Sequence, residues 1–588
     1  MLANIGDERF AMAGITAESQ LNEAKTRSAP VLRSKARVRN VAIISSDRPL
    51  ANLIAALLDT DWGHCDCTAQ LPDAITQATL ESASCVVYLP SLQRGTVPDL
   101  VEAGNILQAC KQYAVDRIIL VASAAIYGAS FRNPGLMQES YPLANGGRTA
   151  GEWRKLEEAA KSLFPSENQL VILRCATVLS QSSATPIVRC LTKKIAIAMP
   201  GHDPSMQLLD ISDLAHAVCC VLREDVRGTF NVAPDGVIPL RAVLRQAGVR
   251  CVPIPRTLLR AANAARDGRS NDYEQYARYS WTVSNESLAK LGFRPARSSA
   301  EAASEFCRSC SNPITGLQTK SADFDDFGMD KAYIDRYSRT LFRFLSDWYW
   351  RIEVAGTEYI PRQGRAVLAG IHRGFMPWDG VMALHTVLRS TGRYTRFLIH
   401  PGLVKFPFLA NFMTKLGGIV ACQKNASYVL ERDELLGVFP EGIHGAFVRY
   451  SDAYRLHDFH RDAFVKMALR HRAPIVPFVT VGSAEIFPIL AKIKSRRWTK
   501  YSEWPAFPIT PTFPLIPLPL PSKWHTRFLL PIHLEKEYPP SAAADTALVR
   551  RISHEVKERM QEAIDDMLSR RQSIFFGSIF QLEMTSSR

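Results

Sequence analysis

No stretch of about eighteen apolar residues runs uninterrupted in this 588-residue chain, so no segment suits a conventional membrane-spanning helix. The residues before Asn40 mix Asp, Glu, Lys and Arg around no apolar core. They read as a disordered leader, residues 1–37, and not as a signal peptide or anchor. The twelve cysteines are scattered, and Cys307-Arg308-Ser309-Cys310 has no second Cys pair to complete a zinc site. A reducing compartment and no metal follow. Zinc-finger spacing, RNA-binding signatures and arginine-rich tracts are also missing, which removes the case for nucleic acid. What the chain does have is an excess of positive charge, +14 with a pI near 9.2, suited to anionic partners. A content of 47% hydrophobic and 22% charged residues is globular, with material for more than one core.

From Val38 short β-branched runs alternate with helical stretches. Val41 to Ile44, a helix near Leu50 to Leu58, Cys85 to Leu89, a helix through Ile106 to Tyr113, and Arg117 to Val121 follow one another. That order predicts a doubly wound parallel sheet over residues 38–295, continuing through Leu170 to Arg174. Residues 296–332, rich in Ser, Ala and Asp, read as a linker. A second α/β domain is expected over 333–572 and a tail over 573–588. The second domain closes on an amphipathic helix with Ile552, Val556, Met560, Ile564 and Leu568 on one face.

In the first domain, Ser123-Ala124-Ala125-Ile126-Tyr127-Gly128, Leu209-Asp210-Ile211-Ser212-Asp213 and Gly228-Thr229-Phe230-Asn231-Val232 resemble the extended short-chain dehydrogenases, the sugar-nucleotide epimerases and dehydratases. The resemblance implies a Rossmann-like fold that takes NAD(P) on a glycine-rich turn after the first strand. Here that turn reads Ser45-Ser46-Asp47-Arg48-Pro49, without glycine and with a carboxylate that repels phosphate. Ser123 and Lys155 match the family's Ser and Lys and are its candidate cofactor-side residues. The Tyr expected four residues before Lys155 is Gly151, and Tyr141 lies too far upstream. The domain therefore reads as an inactive module with no NAD(P) requirement.

The second domain carries the chemistry. His372 and Asp379 stand in Ile371-His372-Arg373-Gly374-Phe375-Met376-Pro377-Trp378-Asp379, and Gly437-Val438-Phe439-Pro440-Glu441-Gly442-Ile443-His444 follows. A carboxylate that fixes a histidine's tautomer makes it a base for an alcohol, and Gly374 and Pro377 suit a compact turn between the two. Asp379 also suits a helix cap. Leu416-Gly417-Gly418-Ile419-Val420, Asn425 before a helix, and Ala473-Pro474-Ile475-Val476-Pro477-Phe478 complete a set of blocks. Over Ala366 to Gly482 these resemble the lysophospholipid and glycerolipid acyltransferases, in particular the monoacylglycerol and diacylglycerol acyltransferase branch.

That resemblance implies an O-acyltransferase with His372 and Asp379 catalytic and Arg373, Gly374, Pro440, Glu441, Gly442 and His444 around the substrate. Acyl-CoA or acyl-carrier protein would be the co-substrate, a glycerolipid or lysolipid hydroxyl the acceptor, and no metal or other cofactor is required. His444 stands where phosphate-handling members have Arg, which disfavours lysophosphatidate and leaves Arg373 and Arg449 as candidate phosphate partners. Docking on an anionic membrane, peripheral and on the cytoplasmic face, is expected through Lys492, Lys494, Arg496, Arg497 and Lys500 with Trp498, Tyr501 and Trp504. The proline-rich run Pro505 to Pro521 would line the acyl entrance, dip into the leaflet, or wrap the domain core as an extended segment. The competing reading is an NAD(P)-dependent epimerase or reductase whose acyltransferase half only docks on membrane. A nonenzymatic lipid-binding scaffold is a third.

Overall fold

Runs of β-branched and aliphatic residues form strands buried on both faces, and these set the architecture of each half. The computed structural model describes residues 40–580 except 63–65, 94–95, 131–132, 134–135, 166–168, 181–184, 199–201, 225, 255–272, 310–324, 375, 401–406, 460–461, 496–503 and 514–517. The expected leader therefore lies outside the described residues. The chain divides into Met1–Gly328 and Met329–Arg588.

In the first unit, β1 (Asn40–Ser45), β2 (Asp66–Gln70), β3 (Cys85–Leu89), β4 (Arg117–Ser123), β5 (Leu170–Cys175) and β6 (Gly228–Val232) form one sheet in the order β2-β1-β3-β4-β5-β6. All neighbours are parallel. The order reverses between β1 and β3, the point at which such sheets open a crevice beyond the strand ends. Helix α1 (Arg48–Trp62) follows β1, and α2 (Arg148–Leu163) packs Trp153, Leu156 and Ala160 into the core.

Part of the expected linker belongs to this unit. Residues Ser299–Ser309 form α3, which buries Ala302, Ala303, Phe306 and Cys307 in a second apolar cluster. Its Ser and Ala content suggested a spacer, but small residues on one helical face also allow close packing.

In the second unit, α4 (Lys331–Tyr337) continues through two π-helical turns, Ser338–Phe342 and Leu345–Tyr349. The sheet holds β7 (Glu353–Ala355), β8 (Ala366–Gly370), β9 (Thr395–Ile399), β10 (Ile419–Val420), β11 (Leu435–Val438), β12 (Ile475–Val481) and β13 (His525–Phe528), in the order β7-β13-β12-β8-β11-β9-β10. Only β12 and β13 pair antiparallel. Around it lie α5 (Trp378–Thr391), α6 (Pro407–Lys415), α7 (Gln423–Glu431), α8 (Gly442–Ala446), α9 (Ala463–Arg470) and α10 (Thr546–Arg570).

Helix α10 buries Ile552, Val556, Met560 and Ile564 as expected, but Met567 replaces Leu568 at the buried end. A spacing of four drifts by about 40° per step on a helix of about 3.6 residues per turn, so the buried face moves back one residue. The expected tail also docks in part: Lys523 N donates to Ile574 O at 2.7 Å and Ser578 Oγ to Glu353 Oε2 at 2.7 Å.

Candidate active site

Strand β8 is buried along its length and ends at Gly370, where a Cβ would stand 2.1 Å from Phe478 Cζ. The close approach of that ring requires glycine and fixes where the loop leaves the sheet. Gly374, at φ +76°, then turns the chain so that α5 starts at Trp378. The turn returns Asp379 to His372.

His372 Nδ1 lies 2.8 Å from both Asp379 Oδ1 and Oδ2. The carboxylate is buried and also accepts from Arg373 N at 2.6 Å and Gly380 N at 2.9 Å. It sits in the first turn of α5, where the helix dipole favours its charge. An ionised carboxylate only accepts, so Nδ1 carries the proton and Nε2 presents the lone pair. Asp379 does not cap α5, whose cap position is Pro377 and whose cap makes no side-chain hydrogen bond. The carboxylate is committed to the imidazole and the loop amides instead.

The loop after β11, the parallel neighbour of β8, brings in Glu441. Glu441 is paired with Arg373, Nη1 to Oε2 at 2.6 Å and Nη2 to Oε1 at 3.2 Å, with both side chains almost fully buried. Arg373 also donates through Nε to Ala453 O and through Nη1 to His372 O, and Glu441 Oε1 accepts from His457 N at 3.1 Å. Gly445 is required beside the pair, since a Cβ there would meet Glu441 Cβ at 2.9 Å. The Arg373 guanidinium, expected as a phosphate partner, is engaged in this pair. Glu441 likewise spends its oxygens inside the protein, while still contributing to the cavity wall.

His372, Pro440, Gly442 and His444 line one cavity of about 570 Å³. Its walls are mainly apolar, with Val381, Leu384, Phe397, Met413 and Val438 among them, and Lys466 and Arg470 of α9 add two cations. Phe439 stacks on Phe397 at 5.4 Å and flanks the His372 ring at 5.2 Å. Phe439 lies within the motif from Gly437 to Gly442 but its ring contact with His372 was not expected, and the α9 cations did not stand out, because single basic residues carry no motif. Trp504, expected at a membrane interface, is instead buried against Phe447 on this cavity wall. Asn425 lies inside α7, not before it, and its Nδ2 donates to Val420 O at 2.8 Å.

Arg449 is exposed, and Lys492 lies on a short hairpin of Ala491–Ile493 with Phe507–Ile509, next to Lys494. Arg496, Arg497, Trp498, Lys500 and Tyr501 lie outside the described residues. The proline-rich run does wrap the domain in its described parts, with Tyr349 Oη donating to Pro519 O and Trp350 Nε1 to Leu520 O. A second buried network holds the C-terminal segment: Tyr454 Oη donates to Glu485 at 2.5 Å, and Glu485 pairs with Arg571. Burial pushes the Tyr454 phenol well above its ordinary range.

In the first unit, a cavity of about 310 Å³ opens beyond β1, β3, β4 and β5 and includes Ser123. Ser123 Oγ accepts from Ala125 N at 3.1 Å. Lys155 is exposed and pairs with Glu152 at 3.0 Å, so it does not reach Ser123 as a relay would require. Asp47 precedes α1, with Oδ1 accepting from Leu50 N at 3.2 Å and Oδ2 from Ser180 Oγ at 2.7 Å. A carboxylate thus holds the helix start that a pyrophosphate would need. No cluster of His, Cys, Asp and Glu suited to a metal occurs among the described residues.

The Acyltransferase family model matches residues 351–481. An uncharacterized protein of Mycobacterium tuberculosis is 38% identical over 260 residues, 43% of this chain and 72% of that protein. A human protein described as a DGAT1/2-independent enzyme synthesizing storage lipids is 25% identical over 146 residues, 25% of this chain and 44% of that one. Among solved structures, Thermus thermophilus UDP-glucose 4-epimerase with NAD is similar at TM-score 0.37 and 16% identity, over 46% of this chain and 98% of that one. A human epimerase family protein with NADPH is similar at TM-score 0.37 and 17% identity, over 46% and 99%.

Proposed function

This chain belongs to the acyltransferase family through its second unit, and on that premise we propose that it moves a fatty acyl group from an acyl thioester to a hydroxyl of an uncharged glycerolipid. The observation that carries the reading is the His372–Asp379 pair, with His372 on the wall of a mainly apolar cavity. His372 Nε2 takes the proton of the acceptor hydroxyl while the oxygen attacks the thioester carbonyl. Collapse of the tetrahedral adduct expels the thiolate, which recovers the proton from the imidazolium. Asp379 stabilises that imidazolium and holds the ring in place. The apolar walls suit the acyl chain, and Lys466 and Arg470 suit an anionic carrier, acyl-CoA or acyl-carrier protein.

Two features favour an uncharged acceptor. His444 stands where an Arg would bind phosphate, and Arg373 is consumed by Glu441. The human relative's description, with its reference to storage lipids, is consistent with this. The acceptor is read as lying in a membrane that the protein meets peripherally. Among the described residues no helix is long and apolar enough to cross one. The first unit is read as inert in redox chemistry, since Asp47 fills the anion position and Lys155 points to solvent.

The test is transfer of radiolabelled acyl from acyl-CoA and acyl-carrier protein to a panel of lysophosphatidate, other lysolipids, monoacylglycerol and diacylglycerol. Labelled product from a neutral acceptor is expected. Transfer to lysophosphatidate alone would refute the acceptor assignment, and no transfer to any member would refute the function.

A further inference from the structure

The helical segment before β7 presents an apolar row to solvent. Leu341, Phe344 and Trp348, within or between its two π-helical turns, are 39%, 53% and 74% exposed, so three large apolar groups within eight residues face solvent. A large exposed aromatic row is unusual on a soluble surface and marks a contact face. Beside the row runs a groove that includes Arg339, Arg343 and Arg389, with Asp335 also on its wall and His385 beneath it. The arginines are not fully spent: Arg343 and Arg389 share one carboxylate, Asp347, at 3.5 and 2.6 Å, and all three of these groups are partly exposed. Exposed pairs of this kind are weak and yield to a stronger anion.

Further apolar groups border the same end of the helix. Phe576, 72% exposed, lies under Arg351, whose guanidinium is 5.8 Å from the ring centroid. Phe344 stacks on Tyr349 at 6.3 Å, and Tyr349 holds the chain next to the exposed Leu518. Arginine beside exposed Trp and Phe is the composition suited to the boundary between phosphate headgroups and acyl chains.

The face is also tied to the reaction centre. Trp350 packs against Trp378 at 5.6 Å, and Trp378 precedes Asp379. Helix α5 carries Asp379 in its first turn and Arg389 in its last, about 15 Å apart at a rise of about 1.5 Å per residue.

We propose that Leu341, Phe344 and Trp348 insert into an anionic membrane while Arg339, Arg343 and Arg389 hold phosphodiester headgroups, a docking face distinct from the Lys492 hairpin. The proposal rests on the reading above that the acceptor lies in a membrane. The face places the loop of His372 within a helix length of the lipid, so an acceptor moves a short way to reach it.

The full-length protein is sedimented with vesicles of phosphatidylglycerol and phosphatidylcholine. Three variants are compared: Phe344→Ser with Trp348→Ser, Arg339→Ser with Arg343→Ser, and Lys492→Ser with Lys494→Ser. Each of the first two pairs is expected to weaken vesicle binding about tenfold or more, the first by removing apolar area that inserts and the second by removing basic residues that each contribute several-fold at such a surface. The hairpin pair is expected to bind like the parent. Thermal melting by circular dichroism and sedimentation velocity are recorded for all three. Parent-like binding by a folded Phe344→Ser, Trp348→Ser protein would overturn the proposal, as would loss confined to the hairpin pair. A change of oligomeric state without a change in vesicle binding would overturn it too, assigning the face to a second copy. A protein that binds vesicles through this face yet transfers no acyl group to any acceptor supports the docking face and removes only the acyl-transfer reading.

Discussion

Arg373 and Glu441 join the loops that follow two adjacent parallel strands, in a pair whose side chains are 1% and 2% exposed. The pair holds the His372 loop against the Glu441 turn, so each residue acts first on the shape of the site.

Removing one partner should leave a buried charge alone, at a cost of about 3–5 kcal/mol. Arg373→Met and Glu441→Gln are each expected to lower unfolding stability by an amount of that order, read as a lower urea midpoint. Arg373→Met with Glu441→Leu should recover much of it. If Glu441→Gln unfolds with the parent and only raises KM for the acceptor, Glu441 is a substrate ligand and not a structural partner.

Gly370→Ala should be poorly tolerated. The added Cβ would meet the ring of Phe478, itself fully buried between strands, so the ring cannot move aside. A loss of about 1–3 kcal/mol from overpacking is expected, read as a lower melting temperature. Because the His372 loop starts at this residue, kcat should fall more than KM rises. An unchanged melting temperature would mean that the strand end relaxes freely.

Much of this was legible in the residue order. The strand Cys85–Leu89 is a short apolar run bounded by breakers, and its ends were readable to the residue, whereas the runs Val41 to Ile44 and Arg117 to Val121 stop one or two residues short of Asn40–Ser45 and Arg117–Ser123. The His372–Asp379 pairing was readable because Gly374 and Pro377 mark the turn between them. The Arg373–Glu441 pair was not, since 68 residues separate the partners and neither has a spacing that points to the other. Trp504 misled for a related reason: an aromatic among lysines reads as an interface, whereas its burial depends on Phe447, distant in the chain. Helix α3 was missed because Ser and Ala serve spacers and close-packed helices alike.

Titration calorimetry of the full chain with NAD(H) and NADP(H) should show no binding at micromolar concentrations. The carboxylate of Asp47 occupies the start of α1, and no glycine lets a pyrophosphate approach the backbone there. Micromolar or tighter binding of either cofactor would overturn the inert reading of the first unit.

Stability should fall in mild acid because of His385. Burial, helped by the charge of Arg389, pushes its pKa down from 6.5 to about 4. The unfolded chain therefore takes up a proton between about pH 6.5 and 4 that the folded chain refuses, and this contribution to stability, present above pH 6.5, is lost as pH falls through that window. A loss on the order of 2 kcal/mol is expected from this group. His385→Asn keeps a partner for Ser338 Oγ, 2.9 Å from Nδ1, and removes the titration. Urea midpoints at pH 7.5 and 4.5 should therefore differ less in the variant than in the parent, and equal differences would exclude His385 as the cause.

The central claim is that His372, oriented by Asp379, is the base for acyl transfer. Single-turnover rates of the parent, His372→Ala and Asp379→Asn, each with an unchanged circular dichroism melt, test it most directly. The prediction is that His372→Ala loses at least about 10²-fold in rate and that Asp379→Asn loses less, because the imidazole retains some basicity without its partner. A folded His372→Ala protein that turns over at the parent rate would contradict the account.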